Sequence, residues 1–82
     1  MAHTVTLLVR EGCGSCVRVH RQLGPICADA GAALEVVDVD APDADPQLRP
    51  EFGDRLPVVL LDGEEHSCWE VDEEELRADL AG

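Results

Sequence analysis

The segment Cys13-Gly14-Ser15-Cys16 lies between an apolar run at residues 4–10 and a helical pattern at residues 17–30. Two residues between the cysteines keep their sulfurs within reach of a disulfide. A strand-to-helix turn places the first sulfur beside the unpaired N–H groups of a helix N-terminus, which stabilise a thiolate. Such a Cys-x-x-Cys pair is typical of a redox motif. Because the helix buries its second turn first, we expect Cys13 to be the nucleophile and Cys16 the resolving thiol.

Residues 4–40 have the pattern of a strand, a helix and a second strand. The run at residues 4–10 is apolar and partly β-branched, which predicts a strand buried on both faces, and residues 34–40 are the second strand. A right-handed crossover then makes the two strands parallel. Steps of about 100° per residue predict a single buried face for the helix. That face comprises Cys16, Val19, Leu23, Ile26, Cys27 and Ala30, and His20 lies at its edge.

Three more elements follow from local signals in the second half of the chain. Asp45 is placed to be the N-cap of a short helix. Pro57 stands near the start of a strand at residues 56–61, where a missing N–H group is tolerated. A last helix begins at Asp72, because Asp72 and Glu75 have the spacing of a capping box.

Asp62-Gly63 is a strong signal for a two-residue hairpin turn. A strand at residues 66–70 should therefore return antiparallel to the strand before it. Counting back across the turn pairs Leu60 with Glu65, Val59 with His66 and Val58 with Ser67. This register places Cys68 opposite Pro57 on the same face, near the dithiol. Trp69 is expected to be a core or groove-lining aromatic.

Composition limits the classes of protein to which this chain can belong. Its 82 residues are enough for one domain, residues 1–82. The net charge is −12 and there is no lysine, which argues against nucleic acid and against anionic membrane surfaces. Neither a signal-peptide pattern nor an apolar run of about 20 residues is present. We therefore expect a cytoplasmic monomer.

The predicted order β-α-β-α-β-β-α, with the dithiol after the first strand, resembles the glutaredoxin-like branch of the thioredoxin superfamily. Four features carry the resemblance over nearly the whole chain: the dithiol Cys13-Gly14-Ser15-Cys16, the basic Arg10 before it, Leu56-Pro57 at the start of the third strand, and the Asp62-Gly63 hairpin tip. The resemblance implies an α/β thioredoxin-like (glutaredoxin) fold, a four-stranded mixed sheet flanked by helices. It also implies that Pro57 is cis and faces the dithiol.

By the same resemblance the chain is a small thiol–disulfide oxidoreductase acting on disulfides of proteins or small molecules. Substrate would then be bound by Arg10, Gly14, Ser15, Leu56 and Pro57, and no resident cofactor is expected. The chain departs from glutathione-using glutaredoxins where those carry Gly-Gly, because Ser67-Cys68 stands there among acidic residues. Glutathione, another low-molecular-weight thiol and a reductase protein therefore all stay open as the electron donor.

The residues also leave other functions open. Cys13 and Cys16 with His66 and Cys68 would make a plausible tetrahedral zinc set, and a bridged iron–sulfur cluster is a variant of it. A chain that keeps the fold only as an interaction module is a third possibility. Cys68 itself could be a third redox thiol, but a small buried side chain is the interpretation we favour.

Overall fold

β1 (Thr4–Val9) lies inside a four-stranded sheet of order β2-β1-β3-β4. It pairs in parallel with β2 (Ala33–Asp38) and antiparallel with β3 (Val58–Leu61), and β3 pairs antiparallel with β4 (Glu64–Cys68). The helices are α1 (Gly14–Ala30), α2 (Leu48–Phe52) and α3 (Glu73–Ala81). The predicted element order and mixed sheet are thus confirmed.

The computed structural model describes residues 3–81. The prediction of one domain over residues 1–82 therefore includes Met1, Ala2 and Gly82, which lie outside the described residues. None of the helices in the described range has the length and apolar character needed to cross a bilayer.

Side chains alternate between the two faces of the sheet, which makes two hydrophobic clusters. One cluster joins β1 and β3 to α1 and α3; its most buried members are Val5, Leu7, Val19, Leu23, Ile26, Val59 and Leu76. The other lies on the opposite face and comprises Leu8, Val39, Phe52 and Val58, with Cys68 packed against it. Central strand β1 contributes to both clusters, as its apolar run predicts.

The predicted buried face of α1 is correct at Cys16, Val19, Leu23, Ile26 and Cys27, whereas Ala30 is exposed in the last turn. The helix begins at Gly14, three residues earlier than the apolar pattern suggests. Cys13 is the N-cap, and its Sγ accepts a hydrogen bond of 3.1 Å from the backbone N–H of Cys16. Gly31 ends the helix with a φ of 68°, which suits a residue without a Cβ.

The predicted register between β3 and β4 is correct only beside the turn. Leu60 pairs with Glu65, but a β-bulge follows, so that Ser67 pairs with Val59 and Cys68 with Val58. The predicted pairs Val59–His66, Val58–Ser67 and Pro57–Cys68 are therefore wrong by one residue, because His66 is the extra residue of the bulge. A bulge lets two successive side chains share one face, so His66 and Ser67 both lie on the α3 side.

One of the two predicted helix caps forms. Asp72 Oδ1 accepts a hydrogen bond of 3.1 Å from the backbone N–H of Glu75, as the capping pattern predicts. Asp45 is not an N-cap: its carboxylate accepts from the N–H of Gln47 at 2.9 Å, and α2 begins only at Leu48. The short polar side chain of Asp45 closes a local turn there instead.

Candidate active site

The dithiol lies immediately beyond the C-terminal end of β1, at the first turn of α1. Cys13 and Cys16 form a disulfide, with their Cα atoms 5.2 Å apart. Cys13 is half-buried, whereas only 4% of Cys16 is exposed. Cys13 is thus the more accessible cysteine of the pair, and Cys16 lies on the buried face of α1.

Strand register brings the third strand's proline to the same end of the sheet as the dithiol. Val58 pairs with Leu8, so Pro57 lies one step further along, beside the end of β1. Pro57 is buried, and the Leu56–Pro57 peptide bond is cis, as the family resemblance implies. The Pro57 carbonyl accepts a hydrogen bond of 2.7 Å from the N–H of Trp69.

Trp69 does not line the core. Its side chain is 59% exposed and its φ is +68°, a left-handed conformation that aromatic residues seldom adopt. The expectation of a packed aromatic is therefore wrong, because the bulge in β4 and the turn after Cys68 direct the indole to the surface. Trp69 and Glu70 form an exposed edge on the β4 side of this end of the sheet.

Arg10, predicted to bind substrate, is held by a carboxylate. Its Nε donates to Asp40 at 2.8 Å, and Arg49 Nε donates to the other Asp40 oxygen at 2.9 Å. Both guanidinium groups hold the pKa of Asp40 below its ordinary value, and the hydrogen bond from Arg10 has the largest effect. Because the Arg10 guanidinium is paired with Asp40, it stabilises a negative charge on Cys13 less. The Cys16 N–H donates directly to Cys13 Sγ and stabilises that charge more.

An apolar groove of about 490 Å³ opens from the dithiol along the side of α1 that faces β2. Cys13 and Gly14 lie at one end, and Val9, Val17 and Val36 supply its apolar lining. Arg10, Glu11, His20 and Arg21 are its polar lining residues. Ser15 is exposed on the first turn of α1 but does not line the groove.

The sequence patterns do not predict this groove. His20, which the helical pattern places at the edge of the buried face, is exposed on the groove, and Val36 is predicted only as part of a strand. Val17 carried a usable signal, because it is an apolar residue outside the buried face of its helix. Val36 carried none, since a strand buried on both faces and an edge strand with one open face have similar sequences.

The predicted zinc set is not formed. Within residues 3–81, the potential metal ligands grouped with His66 are Glu75 and Asp79. The ligand atoms of these three residues lie within 4.8 Å of one another. His66 Nε2 is 2.6 Å from Asp79 Oδ2, and its Nδ1 is 3.1 Å from Ser67 Oγ. The bulge explains the error: it keeps His66 on the α3 side and puts Cys68 on the α2 side of the sheet.

Cys27 and Cys68 are free thiols. Cys27 is buried, and burial raises the pKa of its thiol. A raised pKa moves thiolate formation to higher pH, so at about pH 8 the nucleophilic form is scarce as well as shielded. We expect iodoacetamide to label Cys13 of the reduced protein within minutes and to leave Cys27 unlabelled until denaturant is added, as mapped by peptide mass spectrometry. Rapid labelling of Cys27 in the folded protein would contradict this burial.

Solved structures of similar shape include two thioredoxins. A mutant thioredoxin from Halobacterium salinarum superposes with a TM-score of 0.65 at 23% identity, covering 95% of this chain and 71% of its own. Fasciola hepatica thioredoxin gives a TM-score of 0.63 at 18% identity, with coverages of 98% and 79%. At these sequence identities the similarity shows a shared fold. The chain is thus a thioredoxin-fold protein with a Cys-x-x-Cys pair at the end of β1.

Within that class, the chain belongs to the glutaredoxin-like domain family, whose sequence model matches residues 4–81. Curated relatives include the "uncharacterized protein Rv0508" of Mycobacterium tuberculosis strain H37Rv and "uncharacterized protein Mb0520" of Mycobacterium bovis. Each is 58% identical over 79 residues, which is 94% of this chain and 81% of the relative.

Proposed function

We propose that this protein is a thiol–disulfide oxidoreductase in which Cys13 is the nucleophile and Cys16 the resolving thiol. The observation that carries the proposal is the Cys13–Cys16 disulfide at the N-terminus of α1, where Cys13 Sγ accepts the Cys16 N–H. A helix N-terminus favours a thiolate, and the thiolate is the attacking form of cysteine.

The reaction proceeds in two exchange steps. Cys13 thiolate attacks one sulfur of the substrate disulfide, which forms a mixed disulfide and releases the first substrate thiolate. Cys16 thiolate then attacks Cys13 Sγ, which releases the second substrate thiolate and forms the Cys13–Cys16 bond. Two electrons pass to the substrate, and a thiol donor restores the dithiol. Because Cys13 is the more exposed sulfur, it meets the substrate first.

Substrate contacts are proposed at the same end of the sheet. Gly14 and Ser15 are exposed on the first turn of α1, so a substrate backbone can approach the dithiol closely there. Leu56 precedes the buried cis-proline and offers backbone groups with which an extended substrate cysteine can pair. A disulfide-bearing protein or a small disulfide fits this open site, and either a low-molecular-weight thiol or a reductase protein is proposed as the donor.

A redox titration of the intact protein tests the proposal. The protein is equilibrated in buffers of reduced and oxidised dithiothreitol, its thiols are trapped with an alkylating reagent, and they are counted by mass spectrometry. We expect two of the four thiols to disappear reversibly, both mapped to Cys13 and Cys16, while Cys27 and Cys68 stay reduced. If Cys13 and Cys16 resisted oxidation until a chelator was added, the oxidoreductase proposal would fall and a metal-bound dithiol would replace it.

A further inference from the structure

Charge is unevenly distributed along this chain. Asp and Glu make up 18 of its 82 residues, yet none lies between Glu11 and Asp29. The same stretch carries Arg18, His20 and Arg21, and all three are exposed on α1. In a protein of net charge −12, the exposed surface of α1 is therefore basic, and the acidic lining residue of the groove, Glu11, lies at its dithiol end. Such an asymmetric field orients a charged partner as it approaches.

Within residues 3–81, two of these cations have no acidic partner. The other four arginines, Arg10, Arg49, Arg55 and Arg77, all form ion pairs with carboxylates. For Arg18 and Arg21, no carboxylate within residues 3–81 lies at ion-pair distance. Arg18 and Arg21 are therefore available to a carboxylate of another molecule.

Apolar surface lies directly beside them. Val17 is 54% exposed and Val36 is 46% exposed, and both line the groove that begins at Cys13 and is flanked by Arg21. The groove is on the β2 side of the dithiol, whereas Pro57 and Trp69 lie on the β3 and β4 side and do not line it. The groove therefore extends away from Pro57, and it shares only Gly14 with the substrate contacts proposed above.

The dimensions suit an extended peptide. Arg21 stands eight positions after Cys13, which corresponds to about 12 Å along the helix axis. An extended chain covers that distance in about four residues at roughly 3.3 Å each. If a partner cysteine reacts at Cys13, the partner residue about two positions from it lies over Val17 and Val36. The partner residue about four positions from it lies beside Arg21.

We propose that this groove, lined by Val9, Val17, Val36 and Arg21, docks an acidic segment of a disulfide-bearing partner protein. The segment carries an apolar residue about two positions and a carboxylate about four positions from the reacting cysteine. This inference rests on the proposed function and names the class of its substrate. The valines bury the apolar side chain, and Arg21, supported by Arg18, pairs with the carboxylate.

The test uses two disulfide-linked peptide dimers of one sequence, with leucine two positions and either Glu or Gln four positions from a central cysteine on both sides. Reduced protein is mixed with excess dimer, quenched by acid, and its Cys13–Cys16 oxidation is followed by mass spectrometry. Each turnover converts one peptide disulfide into two thiols and one protein dithiol into its disulfide. The variants are Arg21→Gln and, as a control with the same net charge, Arg77→Gln on α3.

Exposed ion pairs change rates modestly, so we expect wild-type protein to oxidise about two- to fivefold faster with the Glu peptide than with the Gln peptide. Arg21→Gln should remove most of that preference, measured as the ratio of its rates with the two peptides, whereas Arg77→Gln should keep the preference. Equal wild-type rates on the two peptides, or equal effects of the two variants, would overturn the docking proposal alone. If neither peptide oxidised the dithiol, the proposed function itself would fail.

Discussion

Replacing Cys13 by serine is expected to reduce disulfide reduction to the uncatalysed background. A serine hydroxyl is not ionised near neutral pH and cannot form the mixed disulfide, whereas the Cys13 thiolate can. Cys16→Ser should behave differently, because the first exchange step needs only Cys13. That variant should accumulate protein joined to substrate through Cys13, which mass spectrometry under non-reducing conditions would detect as an adduct of the mass of one substrate thiol.

Cys68→Ala is the matched control for these two variants. Cys68 is half-buried, and it packs against the hydrophobic cluster on the α2 face of the sheet. We expect Cys68→Ala to keep the full rate and to form no trapped adduct. A trapped adduct on Cys16 in Cys13→Ser, with no adduct in Cys16→Ser, would reverse the assigned roles. Loss of activity in Cys68→Ala would make Cys68 a third redox thiol.

The dithiol and the proline turn of the site could be predicted from the sequence, because each is formed by neighbouring residues. Cys13 and Cys16 are two residues apart at a strand-to-helix turn, and Leu56-Pro57 begins a recognisable apolar strand. Their positions follow from local patterns together with a resemblance that covers nearly the whole chain. The register of β1 and β3 then brings the dithiol and the proline to one end of the sheet.

The error at His66 has a physical cause. Counting outward from Asp62-Gly63 assumes a regular ladder, and it succeeds for Leu60 and Glu65. A bulge of one residue then reverses the faces of the side chains beyond it. No residue type at positions 65–67 marks the bulge, since neither glycine nor proline stands there. The zinc prediction failed for the same reason, because it needed His66 and Cys68 on one face.

The groove depends on two elements that are distant in sequence. Val17 and Val36 are brought together only by the packing of α1 beside edge strand β2. The lack of carboxylates between Glu11 and Asp29 is visible in the sequence, but its meaning depends on which face of α1 is exposed. The charge pattern and the apolar surface become one feature only when both are seen beside Cys13.

The largest expected effect on stability comes from Leu7, which lies in the middle of β1 and is fully buried. Leu7→Ala removes apolar side-chain volume between α1, α3 and the sheet and leaves a cavity, for which a cost of about 2–5 kcal/mol is typical. A domain of this size has a free energy of unfolding of about 4–12 kcal/mol, so the loss is a large fraction of the total. Chemical denaturation of the reduced protein should show a markedly lower midpoint with an unchanged slope.

Val36→Ala is the matched control for Leu7→Ala, because Val36 pairs with Leu7 in the parallel ladder of β1 and β2. Val36 is 46% exposed, so its truncation leaves no enclosed cavity and should cost less than about 1 kcal/mol. Neighbouring positions on one face of the sheet would then differ severalfold in their effect on unfolding. Similar losses at both positions would mean that the groove is closed in solution and that Val36 is part of the core. In that case the groove could not dock a partner, and the expected preference for the acidic peptide would have no structural basis.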